Sequence, residues 1–63
     1  MTVFVYTSQS RDGMRTDYTN TTKDSPQQHR AILKEIAKEK MKLIKIEKRT
    51  YSSAGLKIEN IEI

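Results

Sequence analysis

Val3-Phe4-Val5-Tyr6 is the stretch whose reading decides the fold. It lies in a segment, residues 2–9, rich in Val, Thr and aromatic residues, which reads as a strand. Strand side chains alternate between the two faces of a sheet. Four consecutive apolar residues therefore put greasy groups on both faces. Leu43-Ile44 repeats the pattern in a second strand-like segment. One helix covers one face, so the other face is expected to meet a partner or to be the working surface.

The remaining elements follow outward from that strand. Asp12-Gly13 is a hairpin-turn dipeptide, read here as a two-residue turn with both central residues at positive φ. Residues 14–20 then return as a second strand with Met14, Thr16 and Tyr18 on one face, or form an ordered polar loop. Ser25-Pro26-Gln27-Gln28 marks a helix start. Ser25 serves as N-cap, Pro26 suits the first helical position, and Gln28 completes a Ser-x-x-Gln capping box. The spacing predicts a helix from Gln27 to about Met41, with Ile32, Leu33, Ile36 and Leu43 on one face. Leu43 to Tyr51 reads as a strand, Ser52-Ser53-Ala54-Gly55 as a turn, and Leu56 to Ile63 as a last strand. Leu56 and Ile58 share one face, Ile61 and Ile63 the other, unless a bulge near Asn60 realigns them. The expected class is α+β: a small antiparallel sheet of three to four strands, order β-(β)-α-β-β, with one helix packed on one face. Residues 1–63 are read as a single domain.

A chain of 63 residues with no cysteine cannot lean on disulfides. One histidine and no thiol leave a structural zinc site without its usual ligands. Association with a second copy is the remaining support, and a homodimer or higher oligomer is expected. Lys and Arg outnumber Asp and Glu by 12 to 8, giving a net charge of +4. The pI is about 9.6 and the mean hydropathy −0.76. That balance admits nucleic acid or an acidic protein surface as partner. The apolar run at the start is too short for a signal-peptide core or a membrane span, so a cytoplasmic location without membrane contact is expected. Asn20-Thr21-Thr22 matches a glycosylation sequon by chance in that setting.

The chemistry-bearing residues point to contact, not catalysis. Asp12, Asp17 and Asp24 form no recognisable acid–base pair. No catalytic, cofactor-binding or metal-ligating residue is assigned. His29 falls on the apolar side of the first helical turn and reads as a packing histidine. The expected partner-binding residues are Phe4, Tyr6, Arg11, Arg15 and Tyr18, because aromatic and arginine side chains supply most interface energy. If Val3 and Val5 face the helix, Phe4 and Tyr6 point outward; if the aromatics face the helix, the function sits elsewhere. An Ile/Leu helix face accepts either.

The nucleic-acid alternative rests on two cationic groups. Arg30, Lys34, Lys38 and Lys42 run along the outer side of the helix, where Glu35 is spaced to neutralise Lys38 and Lys42. Lys45, Lys48, Arg49 and Lys57 lie on the C-terminal hairpin, with Glu47 and Glu59 as cross-strand partners and Tyr51 or Tyr6 as a stacking surface. Solvated, ion-paired faces explain both groups more simply. The favoured reading is a small non-enzymatic interaction protein that binds or inhibits a larger protein. Its size and composition are those of many bacteriophage and mobile-element products that block host enzymes or defence systems. A basic nucleic-acid-binding module or small regulator is the alternative.

Overall fold

The computed structural model describes residues 1–61. Strands β1 (Thr2–Gln9) and β2 (Thr16–Thr21) precede the helix α1 (Pro26–Lys38), and β3 (Lys42–Ser52) and β4 (Gly55–Ile61) follow it. All four strands join one antiparallel sheet in the order β2-β1-β3-β4. The α+β class and the single helix agree with the sequence reading; the segment read as 14–20 yields a strand over Thr16–Thr21, and Met14 and Arg15 stay in the loop before it. Ile63 lies outside the described residues.

The turn and the helix ends show where local chemistry decides. Gln9 and Thr16 form the last β1–β2 pair, so the connection is longer than two residues. Gly13 N–H donates to Ser10 O at 3.0 Å, and only Gly13 takes positive φ, at 75°. Asp12 instead acts through its carboxylate, which accepts from Ser10 Oγ at 2.6 Å and Met14 N–H at 3.0 Å. The Ser10 bond, chiefly, and the Met14 bond hold Asp12 below the usual carboxylate range. At the helix start, Ser25 is extended (φ −136°, ψ 143°), as a residue before proline should be, and its Oγ accepts from Gln28 N–H at 3.2 Å.

The helix stops earlier than its run of helix formers suggests. Lys40 sits at φ 57°. Its N–H donates to Ala37 O, and Met41 N–H donates to Ile36 O. This is a Schellman motif with lysine in the left-handed position that glycine usually takes. Lys42 and Leu43 therefore belong to β3, not to the helix. A Cβ at a left-handed position costs about 1–2 kcal/mol. Lys40→Gly should accordingly stabilise the domain by about 1 kcal/mol, net of the extra freedom glycine gives the unfolded chain. A urea melt at fixed protein concentration reads this, and an unchanged or lowered midpoint contradicts it.

Register explains the two apolar doublets differently. Residues directly opposite in an antiparallel pair share a face. Phe4 pairs with Lys48 and Thr21, and Tyr6 with Ile46 and Thr19, on the face that α1 covers. Val3, Val5 and Thr7 lie on the other face. The Val3-Phe4-Val5-Tyr6 stretch is thus two-sided in fact. Leu43-Ile44 is not. The β1–β3 register shifts between Thr7 and Ser8, so that Thr7 faces Lys45 while Ser8 faces Leu43. Ile44 is the extra residue of a β-bulge, and the bulge returns Leu43 to the helix side. No register break occurs at Asn60: β3 and β4 pair continuously from Ile46–Ile61 to Ser52–Gly55.

The core is small. Phe4, Tyr6, Ile32, Ile36 and Ile46 are buried together, with Leu33, Met41 and Leu43 packed against them. His29 closes one end as a packing group, as expected. Its ring meets Phe4 edge-on at 5.0 Å and lies 5.7 Å from Tyr6, and its Nε2 is 3.4 Å from Asp24 Oδ1.

Candidate interaction surface

The face opposite the helix is a grid set by strand register. On β3, Lys45, Glu47, Arg49 and Tyr51 project to this side in a row. β4 supplies Asn60 beside Glu47, Ile58 beside Arg49 and Leu56 beside Tyr51. β1 supplies Thr7, Val5 and Val3 beside Lys45, Glu47 and Arg49. β2 adds Tyr18 next to Thr7 and Asn20 next to Val5.

Two halves of this face differ. The half over β1 and the middle of β3 is closed by its own neighbours: Val5, Thr7 and Glu47 are all buried. The half over the β3–β4 hairpin is open. Leu56 is 51% exposed, Ile58 49% and Tyr51 43%, and no described element covers them. Arg49 stands at the boundary. Its Nη2 donates to Glu47 Oε1 at 2.9 Å, while Lys45 Nζ lies 3.9 Å from the same oxygen. Glu47, first, and Tyr51 hold the Arg49 guanidinium above its ordinary pKa. Ion pairing to a nearly buried carboxylate fixes one side of that guanidinium and leaves an ordered cation inside an apolar border. Aromatic residues and arginine flanked by aliphatics are the composition of interface centres.

The sequence-based partner set does not form one surface. Phe4 and Tyr6 lie beneath α1, with Tyr6 fully buried, so neither presents its ring to a partner. The physical reason is volume: the shallow space between one short helix and the sheet is filled by the larger side chains of β1, while Val5 lies between Asn20 and Glu47 and Val3 beside Arg49 on the other face. Tyr18 is exposed on the open face. Arg15 lies in the loop just before β2 and does not join Tyr18 on that face. Arg15 turns to the helix side and pairs with Asp17 at 2.8 Å. Arg11 is exposed at the loop tip.

The cationic set divides as well. Arg30, Lys34 and Lys38 are exposed on the outer side of the helix. None of the three makes an ion pair among the described residues, so the neutralisation expected from Glu35 does not occur. Lys42, Lys45 and Arg49 project from the opposite side of the molecule, opposite Gln9, Thr7 and Val3. Lys48 lies on the helix face beside Phe4, and Lys57 pairs with Glu59 at 3.5 Å. One strand of nucleic acid cannot lie against all of these at once. The sequence reading left Leu56 and Ile58 out of its site, although the Ser52–Gly55 turn and period-two alternation suffice to place both beside Arg49 and Tyr51.

Among the described residues, no group of three or more His, Asp or Glu side chains is arranged to hold a metal ion. No described helix is long and apolar enough to cross a membrane. No protein-family model, curated protein or solved structure matches this chain.

Proposed function

We propose that this is a non-enzymatic binding protein that engages, and by occupying a surface inhibits, a larger protein partner in the cytoplasm. The contact is the open hairpin half of the sheet, centred on Arg49, Tyr51, Leu56 and Ile58. One observation carries the reading: three large apolar side chains, each about half exposed, flank an arginine ion-paired to Glu47 on a face that no described element covers. Fully desolvating such a group releases about 25 cal/mol per Å² of apolar area, and arginine held in place loses less freedom on binding. A phage or mobile-element origin fits the size and composition of the chain.

A second reading has its own observation. The helix cations Arg30, Lys34 and Lys38 make no ion pair among the described residues, and three such cations along one helix suit a phosphate backbone. The two readings separate in one comparison. Tyr51→Ala and the double variant Lys34→Gln/Lys38→Gln are assayed for capture of a stoichiometric protein partner, and for binding a mixed-sequence oligonucleotide, at low and high salt. The expected result is at least a tenfold loss of partner binding in Tyr51→Ala, with the lysine variant unchanged. Loss confined to the lysine variant, with affinity falling steeply as salt rises, would place nucleic acid first.

A further inference from the structure

Strand β4 is an edge of the sheet, and every one of its residues from Gly55 to Ile61 is exposed. No described strand lies beside its outer N–H and C=O groups. Natural sheets protect such an edge with charged side chains, a bulge, a proline, a short strand or a covering element, and of these β4 carries the charged pair Lys57 and Glu59. β4 runs seven residues, has no proline and pairs with β3 without a register break. It also carries apolar groups on both faces: Leu56 and Ile58 on the open side, Ile61 on the helix side. The opposite edge, β2, is Thr-Asp-Tyr-Thr-Asn-Thr, with Tyr18 its single large apolar side chain.

The geometry points to a second copy of this chain as the occupant of that edge. Two β4 strands related by a two-fold axis normal to the sheet would run antiparallel and build one continuous eight-stranded sheet. Centred on Ile58, the midpoint of the strand, the pairing matches all of β4 with itself. Gly55 meets Ile61, Leu56 meets Asn60, Lys57 meets Glu59 and Ile58 meets its own symmetry mate. Each opposed pair lies on one face in both copies, as antiparallel pairing requires. Lys57 and Glu59, which form an ion pair along one strand at 3.5 Å, then each face the opposite charge across the axis.

The neighbouring registers fail on charge. Sliding by two residues, the smallest shift that preserves faces, sets Lys57 against Lys57 or Glu59 against Glu59. Like charges directly opposite are destabilising. The full-overlap register is therefore also the one the charges select, in a chain whose net charge of +4 otherwise repels a copy of itself. The resulting assembly would place both copies of Leu56, Ile58 and Tyr51 side by side on one open face of doubled width. The dimer does not depend on what that face binds.

Charge exchange tests this directly. Light scattering and sedimentation of the untagged chain at tens of micromolar should give twice 7.3 kDa. Lys57→Glu alone and Glu59→Lys alone should each run at 7.3 kDa, because each sets like charges across the axis. Mixing the two single variants should restore the doubled mass, since the acidic strand of one then matches the basic strand of the other. The double variant Lys57→Glu/Glu59→Lys should dimerise like the parent. Both substituted positions are exposed, and circular dichroism of each variant checks that the fold is kept. A monomeric parent chain overturns the proposal. So does a dimer untouched by either single substitution, and a mixture that stays monomeric overturns the Ile58-centred register.

Discussion

Tyr6→Ala should abolish cooperative folding, whereas Tyr6→Phe should leave the domain as stable as the parent or more so. Tyr6 is 0% exposed and sits at the middle of the sheet, opposite Ile46 and Thr19 and under Ile32 and Ile36. Truncating a buried aromatic costs about 3–5 kcal/mol. A domain of 63 residues has about 3–9 kcal/mol in all, at ~0.05–0.15 kcal/mol per residue. The loss is therefore comparable to the whole stability. The phenol hydroxyl is a separate matter. It is buried without a hydrogen-bond partner among the described residues, and an unsatisfied buried polar group costs about 1–3 kcal/mol. Removing it while keeping the ring keeps the packing and deletes the penalty. Urea unfolding of both variants, at one protein concentration, reads the two effects. A folded Tyr6→Ala protein with a midpoint near the parent's would show that the ring is not part of the core. A Tyr6→Phe variant weakened by more than about 1 kcal/mol would show that the hydroxyl is bonded after all.

That residue also marks how far the sequence could be read. Local signals were legible where one interaction decides the outcome. Ser25 before Pro26 had to be extended, and an extended serine before a helix caps it. The helix end was illegible because its left-handed residue is Lys40 and not glycine, so the run of helix formers extends to Met41 past the Schellman turn. The Leu43-Ile44 doublet was visible, but a bulge and a two-sided strand leave the same trace in sequence. Only the pairing of Ser8 with Leu43 separates them. The face of Phe4 and Tyr6 could not be chosen either. Valines and aromatics alternate on β1, and α1 would have accepted either set. The choice rests on what β2 and β3 place across from each residue, which is non-local. The interaction surface was legible in part. Turn register alone brings Leu56 and Ile58 beside Arg49 and Tyr51.

Ile36→Ala and Ile44→Ala delete the same atoms and should differ severalfold in cost. Both isoleucines stand near the end of α1 and the start of β3, and a hydropathy plot treats them alike. Ile36 is buried against Phe4, Tyr6, Ile32 and Ile46. Its truncation removes apolar surface from a core of five residues and leaves a cavity that a sheet pinned by β-ladder bonds cannot collapse to fill. The expected cost is about 2–5 kcal/mol. For a small domain, each kcal/mol lowers Tm by about 4–8 °C, so Ile36→Ala should melt at least about 8 °C below the parent. Ile44 is the bulge residue and is 48% exposed. Its side chain already meets water, and surface truncations fall within about 0.5 kcal/mol. The bulge is held by the β1–β3 backbone register on either side of it, Thr7 with Lys45 and Ser8 with Leu43, so it does not need the Ile44 side chain. Thermal melts of the two variants beside the parent decide the matter. Equal losses would mean that Ile44 is packed, and hence that Leu43 and Ile44 have exchanged faces. A harmless Ile36→Ala would mean that the helix presents a different face to the sheet.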